Sequence, residues 1–216
     1  MKYQAVLFDL DGTLLDTLDD LADSMNAVLS SMDLPGHDAE AYKLFVGDGV
    51  EHLASRALPA GRRDSQTVVR CVQAMRTEYG RRWADKTRPY EGVEAMLDAL
   101  SDRGLRMAIF SNKPDDFTRL TVERLLPRWR FDAVRGARDG VPRKPDPAGA
   151  IQIAADLGIA PSRFLYLGDT NTDMATAGAA GMYAVGALWG FRTADELRES
   201  GARTLIHHPL DLIELL

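Results

Sequence analysis

Short apolar runs and helical stretches alternate along most of the chain. Gln4 to Phe8 is an apolar run of strand length, and Leu105–Phe110, Phe131–Val134, Phe164–Leu167, Tyr183–Val185 and Thr204–Ile206 repeat the pattern. Between them, apolar residues recur at helical spacing. Val93, Met96, Leu97 and Leu100 form one such face, with Gly104 at its end. Ala150, Ile151, Ile153, Ala154 and Leu157 form another, closed by Gly158. Strands alternating with helices predict a parallel α/β sheet with helices on both faces, of Rossmann-like kind.

One stretch breaks the alternation. From about Asp16 to Asp85 the pattern predicts four helices and no strand. The first carries Leu18, Leu21, Ala22, Met25, Leu29 and Met32, with Asp16 or Thr17 as its cap and Asp19 and Asp20 at its positive end. The others span about Asp38–Val46, Val50–Leu58 and the region of Val68 to Tyr79. A helical block inside an alternating chain predicts an insertion: residues 1–15 and 86–216 as the core, 16–85 as a helical domain.

Composition narrows the function classes. The net charge of −6 argues against nucleic acid as a partner and requires any anionic substrate to meet a local focus of positive charge. Cys71 is the only cysteine, so an intrachain disulfide and a cysteine zinc cluster are excluded. No apolar stretch is long enough to cross a bilayer and no signal-peptide pattern opens the chain, so no membrane partner and a cytoplasmic location are expected.

The polar residues that end the apolar runs carry the candidate chemistry. The first run stops at Asp9-Leu10-Asp11-Gly12-Thr13. Two carboxylates at the carboxyl end of a buried strand call for a cation, or for a proton on one of them. Asp11-Gly12 between apolar runs also suits a type I′ hairpin. The second run stops at Ser111-Asn112-Lys113-Pro114, where a hydroxyl and free amides at a strand-to-helix turn suit a phosphate, and Pro114 suits the first helical position. Lys144 stands in Pro142-Arg143-Lys144-Pro145, where flanking prolines fix the backbone beneath the side chain. Asp169 and Asp173 follow the fourth run in Gly168-Asp169-Thr170-Asn171-Thr172-Asp173, and Asp173 or Thr172 also suits a helix cap. Gly47-x-Gly49 before a helix suits an anion or a plain turn.

Taken in order, DxDGT, a serine after a strand, a lysine and GDxxxD resemble the haloacid dehalogenase-like hydrolase superfamily along the whole chain. FDLDGTLLDT, VGDGVEHL, FSNKPDDFT, RKPDPAGAI, GDTNTDMATAGAAGM and LWGFRTADEL resemble its phosphoglycolate phosphatase group. The resemblance implies that the helical insertion is a cap domain. It further implies that Asp9 is a nucleophile forming an aspartyl-phosphate, Asp11 an acid and base, and Lys144 a neutralising cation. Ser111, Asn112 and Thr13 would bind the phosphate, and Gly47 and Gly49 a small carboxylate substrate. Magnesium would be held by Asp9, the Asp11 backbone carbonyl and Asp169, with Asp173 as a further ligand or as a guide for Lys144. An all-oxygen donor set favours magnesium over zinc. Phosphate monoesters need up to roughly 28 kcal/mol of barrier lowering, of which a general acid supplies about 3–5 kcal/mol. Positioning and charge neutralisation must supply the rest.

The expected function is hydrolysis of a small phosphorylated metabolite, 2-phosphoglycolate first, by a monomer or homodimer. A phosphosugar mutase of β-phosphoglucomutase type and a pyrophosphatase would use the same residues, and a non-enzymatic scaffold would use none.

Overall fold

The computed structural model describes residues 2–216. The elements run in chain order: β1 (Ala5–Phe8), β2 (Leu15–Asp16), α1 (Leu18–Ser31), α2 (Ala39–Phe45), α3 (Val50–Ala57), α4 (Ser65–Arg82), β3 (Arg88–Pro89), α5 (Val93–Asp102), β4 (Arg106–Pro114), α6 (Asp115–Leu125), β5 (Ala133–Ala137), α7 (Ala148–Leu157), β6 (Phe164–Gly168), α8 (Asn171–Ala179), β7 (Tyr183–Ala187), α9 (Ala194–Glu199) and β8 (Thr204–Ile206). A final 3₁₀ segment covers Pro209–Leu215.

The chain divides into two compact units, one of residues 1–15 and 89–216, the other of Asp16–Arg88. The first is an α/β unit. Its six strands lie in the order β5-β4-β1-β6-β7-β8 and every pairing is parallel. The period of two along each strand sends alternate side chains to opposite faces. Val6, Phe8, Met107, Ile109, Leu165 and Leu167 pack on one face with Val93, Met96, Leu97 and Leu100 of α5. Ala5, Leu7, Ala108, Phe110, Phe164 and Tyr166 pack on the other with Ala150 and Ile153 of α7 and Met174 and Ala177 of α8. A sheet covered on both faces must be apolar throughout, which is why its strands read as unbroken runs. Each fully buried large side chain in it contributes about 1.5–3 kcal/mol.

β1 lies between β4 and β6: the chain runs out through β4 to β5 on one side and then crosses to β6, β7 and β8 on the other. That arrangement opens a crevice at the carboxyl end of β1, where open α/β sheets bind ligands.

The second unit is a bundle of α1 to α4 with Met25, Leu29, Tyr42, Leu53, Cys71, Met75 and Tyr79 buried. Inside it, the Asn26 side chain accepts from His37 N and the Tyr42 hydroxyl and donates to His37 O. Thr17 occupies the N-cap position of α1 without a capping bond. Asp20, expected only to favour the helix dipole, is buried. Its carboxylate accepts from Lys86 N, Thr87 N and Thr87 Oγ1 at 2.7–3.1 Å. The strand-free reading of the insertion is corrected at its first residue. Asp16 lies in β2, which pairs with β3 where the chain leaves and re-enters the α/β unit.

Candidate active site

The loops after β1, β5 and β6 and the last residues of β4 bring together residues from across the chain. β1 delivers Asp9, whose amide donates to Leu167 O of β6 at 3.0 Å. The backbone then turns. Gly12 has φ +85, its amide donates to Leu15 O at 2.9 Å, and no antiparallel hairpin forms. Only glycine fits there: an added Cβ would stand 2.3 Å from Asp169 Oδ2.

Asp9, Asp169 and Asp173 are buried and each offers a carboxylate oxygen within 4.8 Å of the others. The Lys144 ammonium, also buried, donates to Asp9 Oδ1 at 2.9 Å and to Asp173 Oδ1 at 2.7 Å. Lys144 is fixed through its backbone. Asn112 Oδ1 accepts from Lys144 N at 3.0 Å, and Asn112 Nδ2 donates to Lys144 O at 3.1 Å. The Asn112 side chain is therefore committed to the lysine. The Lys144–Pro145 peptide is cis.

Asp173 has partners on both oxygens. Besides Lys144, its Oδ2 accepts from Thr170 N at 3.0 Å and Thr170 Oγ1 at 2.6 Å. Thr170, rather than Thr172 or Asp173, is the N-cap of α8, and Asp173 closes a capping box as its third residue. The Tyr166 hydroxyl lies 3.4 Å from Asp173 Oδ1.

Asp169 is held from two sides. Thr13 Oγ1 donates to its Oδ1 at 2.7 Å, so that hydroxyl serves the carboxylate. Phe191 N donates to its Oδ2 at 2.9 Å, and Trp189 Nε1 donates to Thr13 O at 2.9 Å. The strap between them passes so close that a Cβ on Gly190 would lie 2.3 Å from the Asp169 Cβ.

Charge in this site does not balance. Burial pushes the Asp9 carboxyl up to about 7; the Asp173 carboxylate adds to the effect and the Lys144 ammonium opposes it. Burial, then Asp173 and Asp9, hold the Asp169 carboxyl well above the usual carboxylate range. Burial would lower Lys144, but Asp173 and Asp9 outweigh it and keep the ammonium charged. Were all three carboxylates ionised, they would exceed the one ammonium by two negative charges, the complement of a divalent cation. The donors are hard oxygens, without cysteine or histidine among them, which suits magnesium.

Asp11 stands outside this group. Its carboxylate pairs with Lys113, whose Nζ lies 2.9 Å from Oδ1 and 3.2 Å from Oδ2. Residues 9 and 11 thus have separate lysines, and the two carboxylates do not share one cation. Ser111 Oγ accepts from Lys113 N at 3.3 Å. Gly47 and Gly49 belong to the helical unit, with φ of +112 and +95; Gly49 is the N-cap of α3, and between them Asp48 pairs with Arg56.

Sequence reading passed over Lys113, Thr170, Tyr166 and the Trp189–Phe191 strap. Two of these had signals. Lys113 precedes a proline as Lys144 does, and Thr170-x-x-Asp173 has capping-box spacing. Nothing local assigns Tyr166 or the strap to the site: Tyr166 meets Asp173 of α8, and the strap meets Asp169 and Thr13.

The family description "Haloacid dehalogenase-like hydrolase" matches residues 6–187. The chain is similar to N-acetylmuramic acid 6-phosphate phosphatase of Pseudomonas aeruginosa, 33% identical over 218 residues, covering 100% of this chain and 96% of that protein. It is similar to phosphoglycolate phosphatase of Rhodospirillum rubrum, 36% identical over 195 residues, covering 87% and 80%. Among solved structures, a Lactobacillus delbrueckii protein provisionally assigned as a phosphoglycolate phosphatase superposes with a TM-score of 0.93 at 28% identity, covering 100% and 98%. No helix among the described residues is long and apolar enough to cross a membrane. With its acidic site at the carboxyl end of β1 and its relatives matched along most of their length, the chain belongs to the haloacid dehalogenase-like hydrolases, in their phosphatase group.

Proposed function

We propose that this protein is a magnesium-dependent phosphatase acting on the phosphate monoester of an alcohol that carries a carboxylate, with 2-phosphoglycolate as the first substrate. The observation that carries the reading is the gathering of three buried carboxylates beside a single ammonium, set where an open α/β sheet takes its ligand. 2-Phosphoglycolate and N-acetylmuramic acid 6-phosphate, the compounds in the relatives' names, are both phosphate monoesters bearing a carboxylate.

The residues divide the work. Asp9 attacks phosphorus; its bond to phosphorus forms as the ester oxygen leaves, and Asp11 gives that oxygen a proton. Water then attacks the aspartyl-phosphate and gives a proton to Asp11, which frees phosphate and restores Asp9. Lys144 neutralises charge beside Asp9, and Asn112 keeps it there. Asp173 serves to aim Lys144 and to cap α8. Thr13 and the Phe191 amide aim Asp169. The Ser111 hydroxyl is the group proposed to hold a phosphate oxygen. Asp9, Asp169 and the Asp11 backbone carbonyl would hold magnesium, with Asp173 beside them. When bound, the ion supplies charge neutralisation that one lysine cannot. The helical unit acts as the cap, and Gly47 and Gly49 are its candidates for meeting the substrate carboxylate. The protein works in the cytoplasm as a monomer or homodimer.

The test is phosphate release from 2-phosphoglycolate, N-acetylmuramic acid 6-phosphate and N-acetylglucosamine 6-phosphate, with magnesium and with chelator. The first two should be preferred, and only with magnesium. Equal rates on the uncharged sugar would remove the carboxylate from the proposal. Phosphoryl transfer between sugars, or release of two phosphates from pyrophosphate, would favour the mutase or the pyrophosphatase. Asp9→Asn should lower kcat by at least about 10⁴-fold with the fold intact, the scale seen when a nucleophile is removed.

A further inference from the structure

We propose that Trp189 is a positioning residue of the metal site: its indole N–H holds the Thr13 carbonyl, and through Thr13 it fixes the direction in which Asp169 presents its carboxylate. This rests on the reading above that Asp169 holds magnesium.

The three buried acids are not held alike. Lys144 pairs with Asp9 and Asp173. The donors to Asp169 are both neutral, the Thr13 hydroxyl on Oδ1 and the Phe191 amide on Oδ2. A neutral donor orients a carboxylate without cancelling its charge. One donor on each oxygen also leaves each a further lone pair for a cation. The aim of Asp169 therefore depends on how firmly those two donors are held.

The Phe191 amide is held through the backbone. Its strap, residues 188–192, is tied at both ends. Leu188 N donates to Ile206 O at 3.0 Å. Arg192, itself buried, pairs with Glu196 of α9 at 3.2 Å. Thr13 is placed less firmly by its own turn. The amides of Thr13, Leu14 and Leu15 converge on Leu10 O at 3.3, 3.0 and 3.0 Å, and the bond from Thr13 is the longest. Trp189 supplies a second hold, donating from Nε1 to Thr13 O at 2.9 Å. Thr13 is thus gripped at its carbonyl and grips Asp169 with its hydroxyl. Beside it the Phe191 ring covers Gly12, where a Cβ would lie 2.6 Å from Cε2. The result is a closed circuit from Trp189 to Thr13, on to Asp169, and back to the strap through Phe191.

Packing does not require the indole nitrogen. Trp189 is half-buried, with its apolar surface against the α5 side of the sheet. A phenylalanine would cover much of that surface and would lack only the N–H. That N–H is spent on a carbonyl 176 positions away in the chain, in the one turn that also supplies a donor to Asp169.

The test is calorimetric magnesium affinity for wild type, Trp189→Phe, Thr13→Val, Thr13→Ser, the Trp189→Phe/Thr13→Val double variant and Asp169→Asn, with thermal unfolding of each in the absence of metal. Trp189→Phe should weaken magnesium binding by about 10-fold, the lower end for residues that support a metal ligand. Thr13→Val should weaken it at least as much, and Thr13→Ser, which keeps the hydroxyl, should restore it. The double variant should bind no more weakly than Thr13→Val alone, because Trp189 acts through that hydroxyl. Unchanged affinity in Trp189→Phe, or losses that add in the double variant, would overturn the proposal and leave Trp189 a packing residue. Should Trp189→Phe fail to fold, exchange of that one indole for a benzothiophene replaces the N–H by sulfur and keeps the shape. The same loss is expected there, and its absence overturns the proposal. If Asp169→Asn leaves the affinity unchanged, Asp169 does not hold the ion, and the proposal falls with that reading. A weakened Asp169→Asn beside an unaffected Trp189→Phe overturns the proposal alone.

Discussion

Each unit buries aspartate, and the two units treat it differently. In the helical unit, Asp20 is met by two backbone amides and a hydroxyl. Every donor comes from the point where the chain leaves the bundle, and the carboxylate joins that segment to the first turn of α1. In the α/β unit, Asp9, Asp169 and Asp173 crowd around one ammonium and are left with surplus charge. A buried acid whose donors are all supplied by its own chain is a structural joint. Buried acids that crowd one another around a single ammonium form a site that a cation would complete.

The contrast can be broken by exchanging the expected consequences. Asp20→Ala should cost about 3 kcal/mol, because it strands buried donors. That corresponds to a fall in Tm of roughly 6–12 °C for a chain of this size. Calorimetric magnesium affinity should not change. A weakened affinity in this variant would show that the joint also belongs to the site.

Gly190→Ala should act in the opposite sense. Its Cβ would strike Asp169 and displace it, lowering magnesium affinity by about 10- to 100-fold, as expected for residues that orient a metal ligand. Unfolding should shift less than for Asp20→Ala. Unchanged affinity would mean that Asp169 does not hold the ion.

The smallest effect is a slope. In metal-free protein the Asp9 carboxyl moves from 3.8 to about 7 on folding. Between those values the folded chain keeps a proton that the unfolded chain has released, so stability falls as pH rises through that window. Thermal unfolding from pH 4 to 8 should show this decline. Asp9→Asn should make it shallower, with Asp169 keeping part of the slope, and magnesium at 100 times its Kd should return about 2.7 kcal/mol at the upper end. A wild-type slope equal to that of Asp9→Asn would mean that Asp9 keeps its ordinary affinity for protons.

Much of this was legible in the residues. Apolar runs bounded by turns placed the strands, because a sheet covered on both faces leaves no polar positions to blur the signal. Asp9 directly follows β1 and Asp169 directly follows β6, while Ser111 lies within β4 and Lys144 in the loop after β5. The errors came where polar residues are buried. Ser111-Asn112-Lys113 reads as the end of β4, yet the strand runs on to Pro114 because each of these side chains finds a partner in the fold. Phe131 reads as the start of β5, yet the strand begins at Ala133. Before it, Asp132 accepts from Met107 N and pairs with Arg106, leading the chain onto the sheet edge. Asp20 reads as a dipole residue because its donors lie 66 and 67 positions away. The side chains of Asn112 and Thr13 also support Lys144 and Asp169, a role visible only in three dimensions.

The pairing of β2 with β3 has a topological consequence. To the sheet, everything between those two short strands amounts to a single surface loop, since its ends depart and return side by side. Such an attachment can be lengthened, shortened or replaced without moving a strand. A change in the length of that segment would therefore leave the register of the six parallel strands as it is.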